Sequence, residues 1–138
     1  MISSLALILA LATGNNPGAA TCNGADPAIT NVSSAVSRNP AEANQYTLTV
    51  TVTNLGSKNQ PGNVLQSVVI ILDRAKNGEK GIPPLRAGQK YSFTYDVLRA
   101  SGAARGTTVV NFHLVMHQPA GAGAQDCSTS NDSYREVI

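Results

Sequence analysis

The stretch Tyr46-Thr-Leu-Thr-Val-Thr-Val-Thr-Asn54 decides the fold of this chain. Its apolar residues Leu48, Val50 and Val52 recur at every second position, and four threonines occupy the positions between and beside them. Successive side chains of an extended chain point to opposite faces, so the pattern predicts a strand with one apolar face and one hydroxyl-bearing face. Asn54-Leu-Gly56 has the composition of a turn, and we expect the strand to end there.

Six further stretches have strand character and are separated by polar or Gly/Pro-rich segments. They are Ala28–Val36, Val64–Asp73, Lys80–Leu85, Lys90–Leu98, Thr107–His117 and Asn131–Ile138. The third of these is expected to be a short edge strand, because Pro83 and Pro84 cannot donate to a ladder. Asn77-Gly78 is expected at the tip of the turn before it. Without any helical periodicity, the chain is predicted to be all-β, a seven-stranded antiparallel immunoglobulin-like β-sandwich.

Two of these strands are expected to contribute heavily to the core. Val68-Val-Ile-Ile-Leu72 is apolar throughout, which favours a strand covered on both faces, or one with a face against a partner. A helix is the alternative for this run, but the run is short and rich in β-branched residues. Tyr91, Phe93 and Tyr95 share one face of their strand, and we expect that face to be core.

The composition favours a single exported domain over a cytosolic enzyme. The chain has 138 residues, of which 13% are charged and 42% hydrophobic, and it has no Trp, so its core must consist mainly of Val, Ile and Leu. The net charge of +2 and the small number of aromatic side chains argue against a nucleic-acid partner. We therefore expect an extracytoplasmic protein.

The N-terminus carries an apolar run from Leu5 to Ala12. It is too short to span a bilayer, which needs about 20 residues, but it has the length of a signal-peptide core. Residues 1–20 are therefore interpreted as a signal peptide cut before Thr21, with a cut before Thr13 as an alternative, or as an apolar segment that is retained. No Lys or Arg precedes the run, which departs from the usual signal peptide. Residues 21–138 form the predicted domain.

Cys22 and Cys127 are the only cysteines, and they are predicted to form one disulfide. One lies just before the first predicted strand and the other just before the last. If seven strands alternate in direction, these two points lie at the same end of the sandwich. Two free or metal-binding thiols are the alternative, which the absence of a CxxC motif disfavours.

No set of residues in the sequence predicts catalysis or a cofactor. His113 and His117 share a strand face but would lie about 13 Å apart, too far for one zinc ion, and no nucleophile motif accompanies either of them. Asp126, Asn131 and Asp132 could hold calcium in a loop, but no EF-hand pattern is present and a solvated turn is the favoured interpretation. The prediction is therefore no catalytic residue, no metal site and no cofactor.

The motifs of the chain resemble those of the bacterial cell-adhesion-related CARDB domain. That family has a V-x-V-x-N-x-G strand end, found here from Val50 to Gly56, and a Pro-x-Leu-x-x-Gly turn, found here from Pro83 to Gly88. Asp126 to Asp132 occupies the place of its acidic, Asn-rich turn, although with a different composition. The resemblance covers about residues 28–138.

The resemblance implies a secreted or periplasmic β-sandwich that serves adhesion, protein–protein interaction or structural spacing, without catalytic residues. We expect its partner to be a protein, or a second copy of itself, bound through exposed strand edges. The alternative is a subunit of an extracellular filament or pilus that keeps its apolar N-terminal segment for packing between subunits. Neither interpretation includes a membrane span.

Overall fold

The computed structural model describes residues 23–36, 45–99, 106–117 and 130–138. Seven strands occupy these ranges: β1 (Pro27–Val36), β2 (Gln45–Asn54), β3 (Gln66–Leu72), β4 (Ala75–Ile82), β5 (Lys90–Leu98), β6 (Val109–Met116) and β7 (Ser133–Val137). They form two antiparallel sheets, with the orders β1-β2-β5 and β4-β3-β6-β7. The predicted all-β, immunoglobulin-like sandwich is thus confirmed. The described residues contain no helix that is long and apolar enough to cross a membrane.

Strand β2 is the centre of the three-stranded sheet, and its sequence alternates between an apolar inner face and a polar outer face. Leu48, Val50 and Val52 are all fully buried and face the second sheet. Thr47, Thr49 and Thr51 lie on the opposite, outer face, and each is partly exposed. An alternating strand can be central in a sandwich because only one of its faces has to be covered.

The second sheet supplies the other half of the core from its two central strands. Val68 and Ile70 of β3 and Val110 and Phe112 of β6 are fully buried, and they form a single apolar cluster with the inward residues of β2. The predicted aromatic face of β5 joins this cluster, with Phe93 buried and the two tyrosines partly buried against it. Val69 and Ile71, however, are only partly buried, so the apolar run of β3 is not covered on both faces by the described residues.

The predicted turn at Asn77-Gly78 is wrong, and so are the predicted bounds of the fourth strand. The chain reverses earlier, because Leu72 pairs with Ala75 and leaves Asp73 and Arg74 as a two-residue loop. Both loop residues have positive φ, 46° and 75°, as the tight hairpin turn that matches the twist of two strands requires.

Asn77 and Gly78 lie inside β4 instead, where the register shifts opposite Ile70 and Ile71. A Cβ atom on Gly78 would overlap the hydroxyl of Tyr95, and that hydroxyl donates a 2.8 Å hydrogen bond to Asn77 Oδ1. The Asn-Gly pair therefore makes a bulge that lets β4 pass close to Tyr95.

The two ends of the sandwich differ. One end, called here the Asn54 end, is where β2 ends and where β1 begins opposite Asn54. At this end Ile29 N of β1 donates a 3.1 Å hydrogen bond to Asn131 O. At the other end β7 finishes, with Val137 opposite Val109. The predicted N-terminal segment, both cysteines and Asp126 lie outside the described residues.

Candidate functional site

Asn54 joins three separate segments of backbone at the Asn54 end. Its side-chain oxygen accepts hydrogen bonds from Asp26 N (2.9 Å) and Gly56 N (3.0 Å). Its side-chain nitrogen donates to Lys58 O (2.9 Å) and Leu85 O (3.1 Å). The residue is fully buried, and its amide satisfies backbone groups that no strand pairs with.

The Pro-x-Leu turn is held to the same end by a pair of buried glutamines. Gln60 and Gln66 exchange two side-chain hydrogen bonds of 2.9 and 2.8 Å. The oxygen of Gln60 also accepts from Leu85 N, and the nitrogen of Gln66 also donates to Pro83 O. Leu85 itself is 1% exposed, so this turn contributes a side chain to the core and also covers this end of it.

The glycine of the N-x-G motif is required by close packing of backbone. A Cβ atom on Gly56 would overlap the carbonyl oxygen of Gly24, because the segment before β1 runs directly beside it. Ser57 N donates to the same carbonyl at 3.0 Å. The two motifs therefore hold this end of the sandwich together.

A buried carboxylate lies beside this arrangement. Asp26 is fully buried, and Asn131 Nδ2 lies 3.3 and 3.2 Å from its two carboxylate oxygens. Asn131 was considered above as a calcium ligand together with Asp126 and Asp132. In the structure its amide binds Asp26 and its backbone oxygen binds β1, while Asp126 lies outside the described ranges. Within those ranges there is no group of three His, Cys, Asp or Glu side chains placed to hold a metal.

A second polar cluster lies on the outer face of the four-stranded sheet and was not predicted. Ser67 Oγ lies 2.5 Å from both Glu79 Oε2 and His117 Nε2, and the last two atoms are 2.7 Å apart. Lys76 Nζ contacts the other carboxylate oxygen of Glu79 at 2.8 Å. The hydrogen bonds from Lys76 and Ser67 lower the pKa of Glu79 from 4.5 to about 2. Glu79 therefore stays ionised in all but strong acid.

The order of contacts in this cluster differs from that of a hydrolase triad. Ser67 has one hydroxyl proton and gives it to Glu79, so His117 Nε2 must donate its own proton to approach the hydroxyl. A general base needs a free lone pair on that nitrogen, and a triad places the acid on the opposite nitrogen of the ring. The arrangement resembles a charge-assisted structural link between three strands more than a nucleophile with its base.

This cluster was not predicted because the sequence pattern placed the fourth strand at Lys80–Leu85, whereas β4 spans Ala75–Ile82. In the observed register Glu79 lies opposite Val69, next to Ser67 on the same face, and Ser67 pairs with Val115 close to the end of β6. A turn at Asn77-Gly78 places Glu79 outside any strand, so nothing indicated its proximity to His117. His113, the other histidine of this face, contacts Ser133 instead at 2.9 Å.

The outer face of the three-stranded sheet is covered with short polar side chains. Rows run across β1, β2 and β5, and each row places a threonine of β2 beside a polar residue of β5. Thr51 and Ser92 are 2.8 Å apart, Thr47 donates to Asp96 at 2.7 Å, and Thr30 and Thr53 are 2.8 Å apart. A shallow depression of about 510 Å³ on this face is lined by Thr30, Asn31, Thr51, Thr53, Leu55, Lys90 and Ser92.

Comparisons with known proteins agree with the motifs. The family model named CARDB matches residues 26–114, a range that begins at the buried Asp26 and includes β1 to β5 and most of β6. A CARDB domain from Pyrococcus furiosus, whose crystal structure was determined in complex with di-metal ions, has a similar fold, with a TM-score of 0.58 and 13% sequence identity. The similarity covers 83% of this chain and 92% of that one. No curated protein matches the chain.

Proposed function

Because the chain belongs to the CARDB family, we propose that it is a non-catalytic, extracytoplasmic module that binds a protein partner through its sheet edges or outer faces. The observation that supports this most directly is the role of the family motifs. The residues of these motifs act inside the domain. Asn54 and Gly56 allow separate backbone segments to pack together, and Leu85 is part of the core. None of the three presents a group for catalysis. Adhesion and structural spacing are the two biological uses that suit such a module.

Photo-crosslinking in cells that produce the chain tests the binding function. A benzophenone amino acid is placed at one exposed position of each edge strand, at Ser33, Lys80, Thr94 and Arg135 in separate variants. A protein adduct from one or two of the sites, and not from the others, is the expected result, because a real interface occupies a defined part of the surface. Equal labelling at all four positions, or no protein adduct at any of them, would contradict the proposal.

Export and the disulfide between Cys22 and Cys127 are part of the same proposal. The disulfide is supported by the contact between Asp26 and Asn131, since each of these residues lies four positions after one of the cysteines. Export is supported by the apolar run from Leu5 to Ala12. Closing a loop of this length stabilises a domain by roughly 4–5 kcal/mol in the chain-entropy model.

Mass spectrometry of the secreted protein tests both points. A chain that starts at Thr21 and takes up no alkylating agent until it is reduced is the expected result. Two thiols that react without reduction would refute the disulfide. A chain that still contains Leu5 to Ala12 would refute cleavage and favour the filament subunit.

A further inference from the structure

The proposed binding function leaves open which edge of the sandwich is used and what it binds. Each sheet has two edge strands, so four edges are present among the described residues: β1 and β5 in one sheet, β4 and β7 in the other. An edge strand carries a row of unpaired backbone groups, which attract another strand unless a bulge, charges or short length prevents it.

Three of the four edges have such protection. Strand β4 carries three charged residues in eight and the bulge at Asn77. Strand β1 has a register shift beside Thr30, and Ile29 N is already bonded to Asn131 O in the segment that precedes β7. Strand β7 is five residues long and carries Arg135 and Glu136.

Strand β5 has neither a bulge nor a short length, and its two charged residues, Lys90 and Asp96, are of opposite sign and lie near opposite ends. It is nine residues long, pairs with β2 without any register shift, and contains no proline or glycine. No described strand lies on its other side. An open depression of about 400 Å³ beside it is lined by Thr49 of β2, Lys80 of β4 and residues 91–94 of β5.

The hydrogen-bond pattern shows which backbone groups of β5 are free. Asn54 N donates to Gln89 O, so that pair is of the hydrogen-bonded kind, and every second pair along the ladder is the same. Tyr91, Phe93 and Tyr95 therefore direct their N–H and C=O groups to β2. Ser92 and its even-numbered neighbours direct theirs to the open side. The 2.8 Å contact between the Thr51 and Ser92 hydroxyls agrees, since side chains are closest in non-hydrogen-bonded pairs.

We propose that β5 pairs antiparallel with β5 of a second copy, about a twofold axis at Phe93, to form one continuous six-stranded sheet. In this register Lys90 lies opposite Asp96 of the second copy, and Ser92 opposite Thr94 of the second copy. Every one of these residues has its backbone groups on the open side, so about eight hydrogen bonds form.

Charge complementarity is the reason for choosing a second copy as the partner. The outer face of β5 carries one charge near each end, Lys90 and Asp96, with uncharged Ser92 and Thr94 between them. An antiparallel copy in the Phe93 register brings each lysine against an aspartate, twice by symmetry. Shifting the axis by one residue places Lys90 opposite the apolar Leu98 and leaves both charges unpaired. On the inner face Tyr91 lies opposite Tyr95 of the second copy, a favourable cross-strand pair.

Sedimentation of the full chain over a range of concentrations tests the proposal. The wild type is expected to be a dimer in equilibrium with monomer. Thr94→Pro removes one free-edge donor without touching the ladder to β2, so it should yield a folded monomer. Thr94→Val keeps the donor and should keep the dimer. Circular dichroism and thermal melting confirm that both variants fold. A monomeric wild type at millimolar concentration overturns the proposal, and so does a folded Thr94→Pro variant that still forms the wild-type dimer.

A charge swap tests the register. Lys90→Asp and Asp96→Lys each place like charges opposite one another twice, so each should raise the dimer dissociation constant by about tenfold or more. The double variant restores both pairs and should return the constant to near its wild-type value. If the double variant is as weak as the two single variants combined, the Phe93 register is wrong.

This inference rests on the proposed binding function but can fail separately from it. A crosslink from position 94 to a different protein, together with a monomeric wild type, would leave the binding function standing and remove the second copy as its partner. The absence of any defined adduct would remove both.

Discussion

Replacing Asn54 by alanine should destabilise the domain far more than a surface polar residue does. The substitution removes the acceptor used by Asp26 N and Gly56 N and the donor used by Leu85 O. The contacts to Asp26 N and Leu85 O are fully buried. A buried backbone group that loses its partner costs about 1–3 kcal/mol, so the two together should cost about 2–6 kcal/mol. A domain of this size has about 5–15 kcal/mol in all.

Asn59→Ala is the matched control. Asn59 lies in the same loop region and accepts one hydrogen bond from Ala87 N, in an exposed position. Its loss should cost about 0.5–1.5 kcal/mol. Urea unfolding followed by circular dichroism measures both values, and the slope of the transition should be unchanged if the native state is otherwise intact. If the Asn54 variant loses no more free energy of unfolding than the Asn59 variant, the hydrogen bonds of the Asn54 side chain do not stabilise this end of the sandwich.

Three further predictions concern other parts of the fold. Gly78→Ala should destabilise the domain and lower its melting temperature because its Cβ meets the Tyr95 hydroxyl, whereas Gly81→Ala in the same strand meets nothing within 4 Å and should be neutral or slightly stabilising; equal melting temperatures would contradict the observed path of β4. The folded-state pKa of Glu79, about 2, lies below its ordinary value of 4.5, so its stabilisation is complete above pH 4.5 and is lost as the pH falls towards 2. The Glu79→Gln variant should therefore show a flatter loss of stability over that interval, and carboxyl chemical shifts in NMR would reveal an ordinary pKa if the reasoning is wrong. Val50→Asp should prevent folding, because it places an unpaired charge at a fully buried position, and a normal far-ultraviolet spectrum and melting curve in that variant would mean that the face of β2 is assigned wrongly.

The sequence was sufficient to predict the architecture wherever one face of a strand is buried. The alternation in residues 46–54 and 90–98 determined both the strands and their inward faces, because a slip of one residue would expose the whole apolar set. The motif positions also indicated the family correctly.

The hairpin between β3 and β4 shows where local signals fail. Asn-Gly is the strongest tight-turn signal in a sequence, yet here Gly78 is needed beneath Tyr95, a residue of another sheet, and Asp73-Arg74 makes the turn instead. That contact joins residues 17 positions apart, and no local pattern contains it. Because β4 was predicted at the wrong position, the cluster of Ser67, Glu79 and His117 was not predicted either. The strand order was needed to show that β5 has a strand partner on one side only among the described residues.

The placement of β1 and β7 has a mechanical consequence. Both strands begin at the Asn54 end, where Asn131 meets β1, so residue 23 lies at one end of the sandwich while residue 138 lies at the other. A pulling force applied between these two points would load the ladders of β1 with β2 and of β7 with β6 in shear, along the strands. In that geometry many hydrogen bonds must break together, as opposed to the one-by-one rupture of an unzipped hairpin. A force applied between residues 23 and 138 would therefore be opposed by two strand ladders at once.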